Sequence, residues 1–200
     1  MDGAPRPHYQ VTFGILAVSI GAFALLQSLV IPVLSTIQAE LHTSQSAVTW
    51  VLTAYLLSAS VMTPILGRVG DIYGKKWVFV AALVALAAGS VLAAVSPNLA
   101  VLIVARVIQG AGGGTLPLGF GIIRDEFPAG KVAGAVGILA ALTAVGGSLG
   151  IVLAGPIVNA LNWHWLFWLP GIATVFGLSC VRAGRAAGYA DRAHGRTVGI

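Results

Sequence analysis

The sequence predicts an all-α membrane protein whose six transmembrane helices form two inverted three-helix repeats. Three observations support this fold class. The 200 residues are 58% hydrophobic and only 8% charged, whereas soluble domains usually carry about 25% charged residues. Six apolar runs are each long enough to cross a bilayer. The lysines and arginines are concentrated in alternate connections between those runs.

The six predicted spans follow one another with short polar or Gly/Pro-rich connections. A helix needs about 20 apolar residues to cross the hydrocarbon core, and the runs that qualify cover about 11–38, 48–66, 77–95, 99–122, 132–157 and 163–182. The connections are residues 42–45, 67–76, 96–98, 124–131 and 159–162. A barrel is not indicated, because its strands would appear as alternating segments of about ten residues.

The basic residues predict the orientation in the membrane. Ten of them fall on one side of the predicted bundle, and the opposite connections carry none: Arg6, Arg68, Lys75, Lys76, Arg124, Lys131, Arg182, Arg185, Arg192 and Arg196. Because positive residues mark the cytoplasmic side, we predict a multi-pass protein of the cell membrane with both termini cytoplasmic. Its predicted parts are a cytoplasmic segment over 1–10, the six-helix domain over 11–182, and an Arg/Gly/Ala-rich tail over 183–200 that we expect to be disordered.

Tryptophans mark several predicted span ends. Trp50, Trp77, Trp163 and Trp165 lie at such ends, and Trp168 lies just inside one. Tryptophan gathers at membrane–water interfaces. We therefore expect these residues to be interface anchors rather than ligand contacts.

A short internal match supports the repeat. Residues 88 positions apart agree in type between the second connection and the fifth, at Gly67 and Gly155, Asp71 and Asn159, Trp77 and Trp165, and Phe79 and Phe167. The two connections lie on opposite sides of the predicted bundle, so the repeat is inverted. Inverted three-helix repeats are a known construction of transporter halves.

Arg106 is the one basic residue inside a predicted span. A charge at the bilayer centre costs about 2.5–3.5 kcal/mol on insertion scales, so such residues usually face a cavity or a partner. Helical spacing places Gln109, Gly110, Gly113 and Pro117 on the same face as Arg106. We expect this face to hold an anionic substrate group or to tune the proton affinity of a nearby acid. Structural pairing of the arginine is the alternative.

Residues 67–76 read Gly-Arg-Val-Gly-Asp-Ile-Tyr-Gly-Lys-Lys and predict a sharp charged loop, whose glycines allow backbone angles that other residues resist. This stretch resembles the signature loop between the second and third helices of the major facilitator superfamily of transporters. There the aspartate and the basic pair are thought to latch the two transporter halves. The resemblance implies a cytoplasmic gating loop made of Gly67, Gly70, Asp71, Gly74, Lys75 and Lys76. A solvated turn residue is the other interpretation of Asp71, and Ile72 stands where the family often has a basic residue.

Two further stretches resemble motifs of the same superfamily. Residues 106–114, Arg-Val-Ile-Gln-Gly-Ala-Gly-Gly-Gly, are similar to its fourth-helix motif, in which the arginine is implicated in proton coupling. Residues 146–156 resemble the glycine-rich fifth-helix motif of drug-exporting members, with Ile151 where those proteins usually have proline. The resemblance favours the fourteen-helix drug:proton antiporter branch. It implies that the chain is the amino-terminal six-helix half of a major-facilitator fold.

Small residues predict where the helices pack closely. Gly146, Gly150 and Ala154 recur every four positions in the fifth span, which lets another helix approach. The predicted helix-packing positions are Gly110, Gly113, Gly146, Gly150, Gly155 and Pro156.

The resemblance implies export of small amphipathic compounds by proton antiport, with the chain forming one wall of a midplane site. The candidate proton-coupling or substrate residues are Arg106, Gln109 and Gln27, and no acidic residue lies deep in any predicted span. The predicted partners are the lipid bilayer, a small-molecule substrate, protons, and a second transmembrane half from a missing C-terminal part or another chain. Two alternatives remain open: a metabolite uniporter or symporter of the superfamily, and a truncated membrane fragment that does not transport.

Other function classes are not favoured. Residues 146–150, Gly-Gly-Ser-Leu-Gly, match the G-x-S-x-G pattern of hydrolases, but that motif needs a preceding strand and partner His and acid residues. Residues 110–114 lack the lysine of a phosphate-binding loop. The net charge of +5 does not indicate nucleic-acid binding, because the basic residues are spaced between apolar runs. We predict no enzymatic activity, no cofactor and no metal site.

Overall fold

The computed structural model describes residues 9–175 and 179. Short 3-10 segments, Ile31–Val33 and Ala111–Gly114, interrupt the first and fourth spans. The α-helices are Tyr9–Leu29, Leu34–Glu40, Gln45–Tyr73, Lys75–Ala94, Leu99–Gly110, Thr115–Glu126, Ala129–Ala160 and Trp165–Val175. The described part of the chain contains no strand, and the predicted all-α class is confirmed.

Five of the spans are long and apolar enough to cross a membrane, by length and composition: Tyr9–Glu40, Gln45–Tyr73, Lys75–Ala94, Leu99–Glu126 and Ala129–Ala160. The sixth span is represented by the shorter helix Trp165–Val175. Its predicted continuation to residue 182 falls almost wholly outside the described residues, and so do the predicted tail over 183–200 and residues 1–8.

Side-chain caps begin two of the spans where the sequence places polar connections. Ser44 Oγ accepts a hydrogen bond from the backbone N–H of Ala47 at 3.2 Å, at the start of the second span. Asn98 Oδ1 accepts one from the backbone N–H of Val101 at 3.0 Å, at the start of the fourth. Such caps satisfy backbone donors that the first helical turn leaves unpaired.

The connection between the second and third spans is one residue long, so the predicted ten-residue loop over 67–76 is wrong. The second span stays helical to Tyr73, and the third begins at Lys75. Gly74 alone leaves the helical conformation, with φ +98°, and its N–H donates to the carbonyl of Gly70 at 3.0 Å. Charged side chains do not end a helix by themselves, since the backbone hydrogen bonds continue past them, whereas a glycine at positive φ does end it.

Two helix pairs make close contacts at glycines. The first span packs against the fifth, and the second against the fourth. A Cβ on Gly150 would lie 2.8 Å from the carbonyl oxygen of Leu25, and a Cβ on Gly110 would lie 2.4 Å from Cβ of Ser58. Helices approach this closely only where one side chain is missing.

These two contacts have the exchange symmetry that an inverted repeat requires. In such a repeat the first span corresponds to the fourth, and the second span corresponds to the fifth. A contact between the first and fifth spans should therefore have a counterpart between the fourth and second spans. The register agrees to within one residue. With the 88-residue offset, Leu25 corresponds to Gly113 and Gly150 corresponds to Met62. The observed contact is one residue away from this pair, because a Cβ on Gly113 would lie 3.0 Å from Oγ1 of Thr63. The geometry therefore supports two three-helix repeats.

Trp163 lies inside the bundle, so its ring does not face outwards as an interface anchor would. Its side chain is only 1% exposed and meets the ring of Phe167 edge-on, with 6.2 Å between the centroids. Trp50 and Trp77 are more than half exposed, as interface anchors would be. Position near a span end does not tell which face of the helix a residue occupies, and this decides the burial of Trp163.

Apolar side chains of the second and fifth spans face outwards. Leu57 on the second span is 61% exposed, and Val152 on the fifth is 68% exposed. An apolar surface of this kind is covered by lipid or by another protein surface. The described residues of this chain do not cover it.

Candidate functional site

Arg106 is completely buried among the spans. Its Nη1 donates to Oε1 of Gln109 at 2.9 Å, and Nε2 of Gln109 donates to Oγ of Ser90 at 3.0 Å. The Ser90 hydroxyl donates in turn to the carbonyl of Leu86 at 2.8 Å. One hydrogen-bonded chain therefore joins the third and fourth spans. We call Arg106, Gln109 and Ser90 the arginine cluster.

Two aromatic rings cover the guanidinium of Arg106. Its Cζ lies 5.4 Å from the ring centroid of Tyr55 and 5.4 Å from that of Phe167. Both rings are buried; Tyr55 comes from the second span and Phe167 from the sixth. Cation–π contacts away from water contribute about 2 kcal/mol. Residues of three spans therefore meet at this cation, and the third span reaches it through Gln109.

One edge of the guanidinium has no partner. Nε and Nη2 of Arg106 are buried and make no hydrogen bond to any described residue. These two donors form the edge that binds a carboxylate through two parallel hydrogen bonds. Leaving a buried donor unpaired costs about 1–3 kcal/mol, and no described carboxylate forms an ion pair with Arg106. The arrangement suits an anionic group or a proton-carrying acid that the described residues do not supply.

Gly89 allows the third span to reach the arginine cluster. A Cβ at this position would lie 2.6 Å from Cγ of Gln109 and 2.9 Å from the carbonyl oxygen of Ala105. The bare backbone therefore brings the next residue, Ser90, within hydrogen-bond distance of Gln109. Sequence reasoning missed Ser90, although a Gly-Ser pair inside an apolar run was an available signal.

The face predicted from helical spacing is only partly preserved. Gln109 bonds to the third span and Arg106 lies between rings of the second and sixth, whereas Gly110 and Gly113 pack against the second span alone. The 3-10 segment Ala111–Gly114 follows directly, and its tighter winding shifts the later residues around the axis. Pro117 is exposed and takes no part in the cluster.

Gln27 is half-buried on the first span. It takes no part in the hydrogen bonds of the arginine cluster. Its role as a substrate residue stays a prediction.

The basic pair forms a second charged group at the start of the third span. Nζ of Lys75 lies 2.9 Å from Oδ2 of Asp125 and 3.7 Å from Oδ1 of Asp71. Lys76 pairs with Glu126. We call Lys75, Lys76, Asp125 and Glu126 the lysine cluster. It joins the third and fourth spans of this chain, whereas the sequence resemblance implies a latch between two transporter halves.

The remaining predicted glycines fall into two groups. A Cβ on Gly70 would lie 2.6 Å from Cδ2 of Leu118, and one on Gly146 would lie 3.1 Å from a backbone oxygen of the first span, so both positions are tightly packed. A Cβ on Gly67 or Gly155 would meet nothing within 4 Å, and Pro156 is exposed. The expected helix packing at Gly155 and Pro156 is therefore not made by the described residues.

Comparison with known proteins identifies the family. The sequence profile of the Major Facilitator Superfamily matches residues 16–194. This chain belongs to that superfamily. The members of this superfamily are membrane transport proteins rather than enzymes.

Named relatives and a solved structure agree with this family. The chain is 34% identical over 181 residues to "Efflux pump dotC" of Dothistroma septosporum, covering 89% of this chain and 31% of that protein. It is 38% identical over 136 residues to "Multidrug resistance protein B homolog" of Mycobacterium tuberculosis, covering 66% and 25%. The human organic anion transporter MFSD10 (TETRAN) shares the fold, with a TM-score of 0.61 and 16% identity, over 88% of this chain and 47% of that one. The chain thus spans a quarter to a third of these curated relatives.

Proposed function

We propose that this chain is the amino-terminal half of a transporter that exports small amphipathic compounds in exchange for protons. Membership of a family of membrane transporters supports transport as the activity of the complete protein. The export direction, the substrate class, the proton coupling and the second half are the proposal. Two relatives support export as the direction of transport, because one is named as an efflux pump and the other as a multidrug resistance protein.

The observation that carries the proposal is the unpaired edge of Arg106. A buried cation with two free donors costs free energy in the isolated half, and it is held in place by Gln109, which is bonded to Ser90. Such a cost is typical of groups retained for function. A carboxylate that gains and loses a proton near this edge would alternate between binding Arg106 and releasing it, and this is the change that proton exchange needs.

The outward apolar faces support a second half. Residues such as Leu57 and Val152 project from the second and fifth spans, and transport in this fold requires two halves that rock around a midplane site. We propose that the second half covers part of these faces. The distribution of Lys and Arg favours cytoplasmic termini and a location in the cell membrane.

The test is flux through the assembled transporter in vesicles with an imposed pH gradient. We expect a fluorescent amphipathic dye to move against the proton flow and to stop when the gradient is collapsed. Arg106→Lys keeps the charge but removes the two-donor edge, so gradient-driven flux should fall about tenfold or more. Arg68→Lys, an exposed change outside the cluster, should leave flux unchanged.

Three results would contradict the proposal. Dye movement that ignores the gradient would exclude proton exchange, and dye movement in the same direction as protons would indicate the symporter alternative. Equal flux in Arg106→Lys and in the wild-type protein would show that the guanidinium edge has no part in coupling.

A further inference from the structure

A groove of about 420 Å³ opens at the end of the bundle where the first and fifth spans both begin. It lies outside the arginine and lysine clusters. Its lining includes Tyr9, Phe13, Phe127, Lys131, Gly134 and Ile138.

The groove holds one cation without a counter-ion. Nζ of Lys131 donates to the hydroxyl of Tyr9 at 2.9 Å and lies 5.0 Å from the centroid of that ring. No described carboxylate forms an ion pair with Lys131, because Asp125 and Glu126 are paired with the two lysines of the third span. An anion entering the groove would meet an ammonium group and a hydroxyl and no negative charge among the described lining residues.

The rest of the groove is apolar and open. Phe127 packs edge-on against Tyr9 and Phe13, with centroid distances of 5.3 and 6.1 Å. A Cβ on Gly134 would meet nothing within 4 Å, and Ile138 is 53% exposed. From Lys131 to Ile138 the helix rises about 10 Å. An apolar wall therefore leads from the cation towards the middle of the bundle.

We propose that this groove binds one anionic phospholipid. The phosphate contacts the ammonium of Lys131 and the hydroxyl of Tyr9, and an acyl chain lies along Gly134 and Ile138. Anionic lipids line the cytoplasmic leaflet, where a basic residue near the surface strengthens binding about fivefold. The site adds a lipid ligand to the proposed transporter, and it uses the proposed orientation only to place the groove in that leaflet.

The test is native mass spectrometry of the purified full chain released from detergent with added lipid. We expect dioleoylphosphatidylglycerol to be retained in preference to dioleoylphosphatidylcholine, which has the same chains and no net charge. Lys131→Gln should weaken phosphatidylglycerol retention about fivefold. Arg68→Gln removes an exposed basic residue outside the groove and should leave retention unchanged.

A second pair of variants tests the apolar wall. Gly134→Leu places a side chain in the groove without a clash and should reduce retention of both lipids. Gly137→Leu is the matched control, because Gly137 is equally open and does not line the groove. Both variants raise helix propensity, and Lys131 is exposed, so loss of folding does not complicate the comparison.

Several results would overturn the proposal. Equal losses in Lys131→Gln and Arg68→Gln would show diffuse charge attraction instead of a site. Competition by inorganic phosphate at the same concentration would show a site for a free anion. Retention that appears only after deletion of residues 2–8 would show that this segment fills the groove. Since retention is measured without a gradient, the outcome is independent of whether the transport proposal holds.

Discussion

The arginine cluster and the lysine cluster join the same two spans at different depths. Lys75 begins the third span, and Ser90 lies 15 residues, or about 22 Å, further along it. In the lysine cluster, at the end of the bundle, each lysine pairs with a carboxylate of the fourth span. In the arginine cluster, deeper in the bundle, Arg106 contacts only neutral groups and two aromatic rings, and two of its donor atoms have no partner.

The difference lies in how completely each buried or exposed cation is paired. Ion pairs at the bundle end are partly exposed to solvent, form at little cost and contribute little. A buried and incompletely paired arginine lowers stability in the isolated half. The lysines of the lysine cluster have partners among the described residues, whereas the unpaired donors of the arginine cluster require another reason. Proton or substrate coupling is the reason proposed above.

The largest expected effect comes from separating the third and fourth spans at Gly89. Gly89→Leu forces a side chain against Gln109 and the carbonyl of Ala105, and overpacking against backbone costs about 3 kcal/mol. We expect the detergent-solubilised chain to unfold at a lower fraction of sodium dodecyl sulfate in mixed micelles. Gly14→Leu is the control, because a Cβ on Gly14 meets nothing within 4 Å. Equal stability of the two variants would show that the spans do not need this approach.

A smaller effect, of opposite sign, is expected when the arginine cluster is made apolar. The double variant Arg106→Met with Gln109→Leu removes the unpaired donors, while the Ser90 hydroxyl keeps its bond to the carbonyl of Leu86. Replacing incompletely paired buried charge by apolar groups of similar size stabilises by about 2 kcal/mol. We expect higher stability in mixed micelles together with loss of gradient-driven flux.

The same double variant decides between the two interpretations of Arg106. A loss of stability would mean that the cluster holds the bundle together, as the structural-pairing alternative requires. A gain in stability with unchanged flux would contradict both interpretations. Arg106→Met alone leaves Oε1 of Gln109 without its donor, so it should gain less than the double variant.

Much of the fold follows from sequence because membrane solvation acts on local composition. Runs of about 20 apolar residues predict spans wherever they occur, and Ser44 and Asn98 start helices close to the predicted points. The length of the connection between the second and third spans was harder to predict, because the sequence does not distinguish the roles of Gly67, Gly70 and Gly74. Only Gly74 takes a positive φ; Gly70 serves packing and Gly67 lies open.

Only those residues of the arginine cluster that lie on the fourth span could be predicted from the sequence. Arg106 stands out as a charge in an apolar run, and Gln109 follows from helical spacing. Ser90, Tyr55 and Phe167 come from three other spans, and their approach depends on packing between helices. Serine and aromatic residues are common in apolar spans, so nothing local distinguished Tyr55 and Phe167, and the only local signal for Ser90 was the glycine before it.

The smallest expected effect lies in the lysine cluster and would sharpen its contrast with the arginine cluster. A double-mutant cycle with Lys75→Gln and Asp125→Asn measures the coupling of the 2.9 Å pair. Because both side chains are partly exposed, we expect a coupling of about 0.2–1 kcal/mol in mixed-micelle unfolding. Added salt should reduce it, since mobile ions screen exposed charges over about 10 Å at 0.1 M. A coupling above about 2 kcal/mol that resists salt would mean that this pair is shielded from water, and the distinction between the two levels of the bundle would disappear.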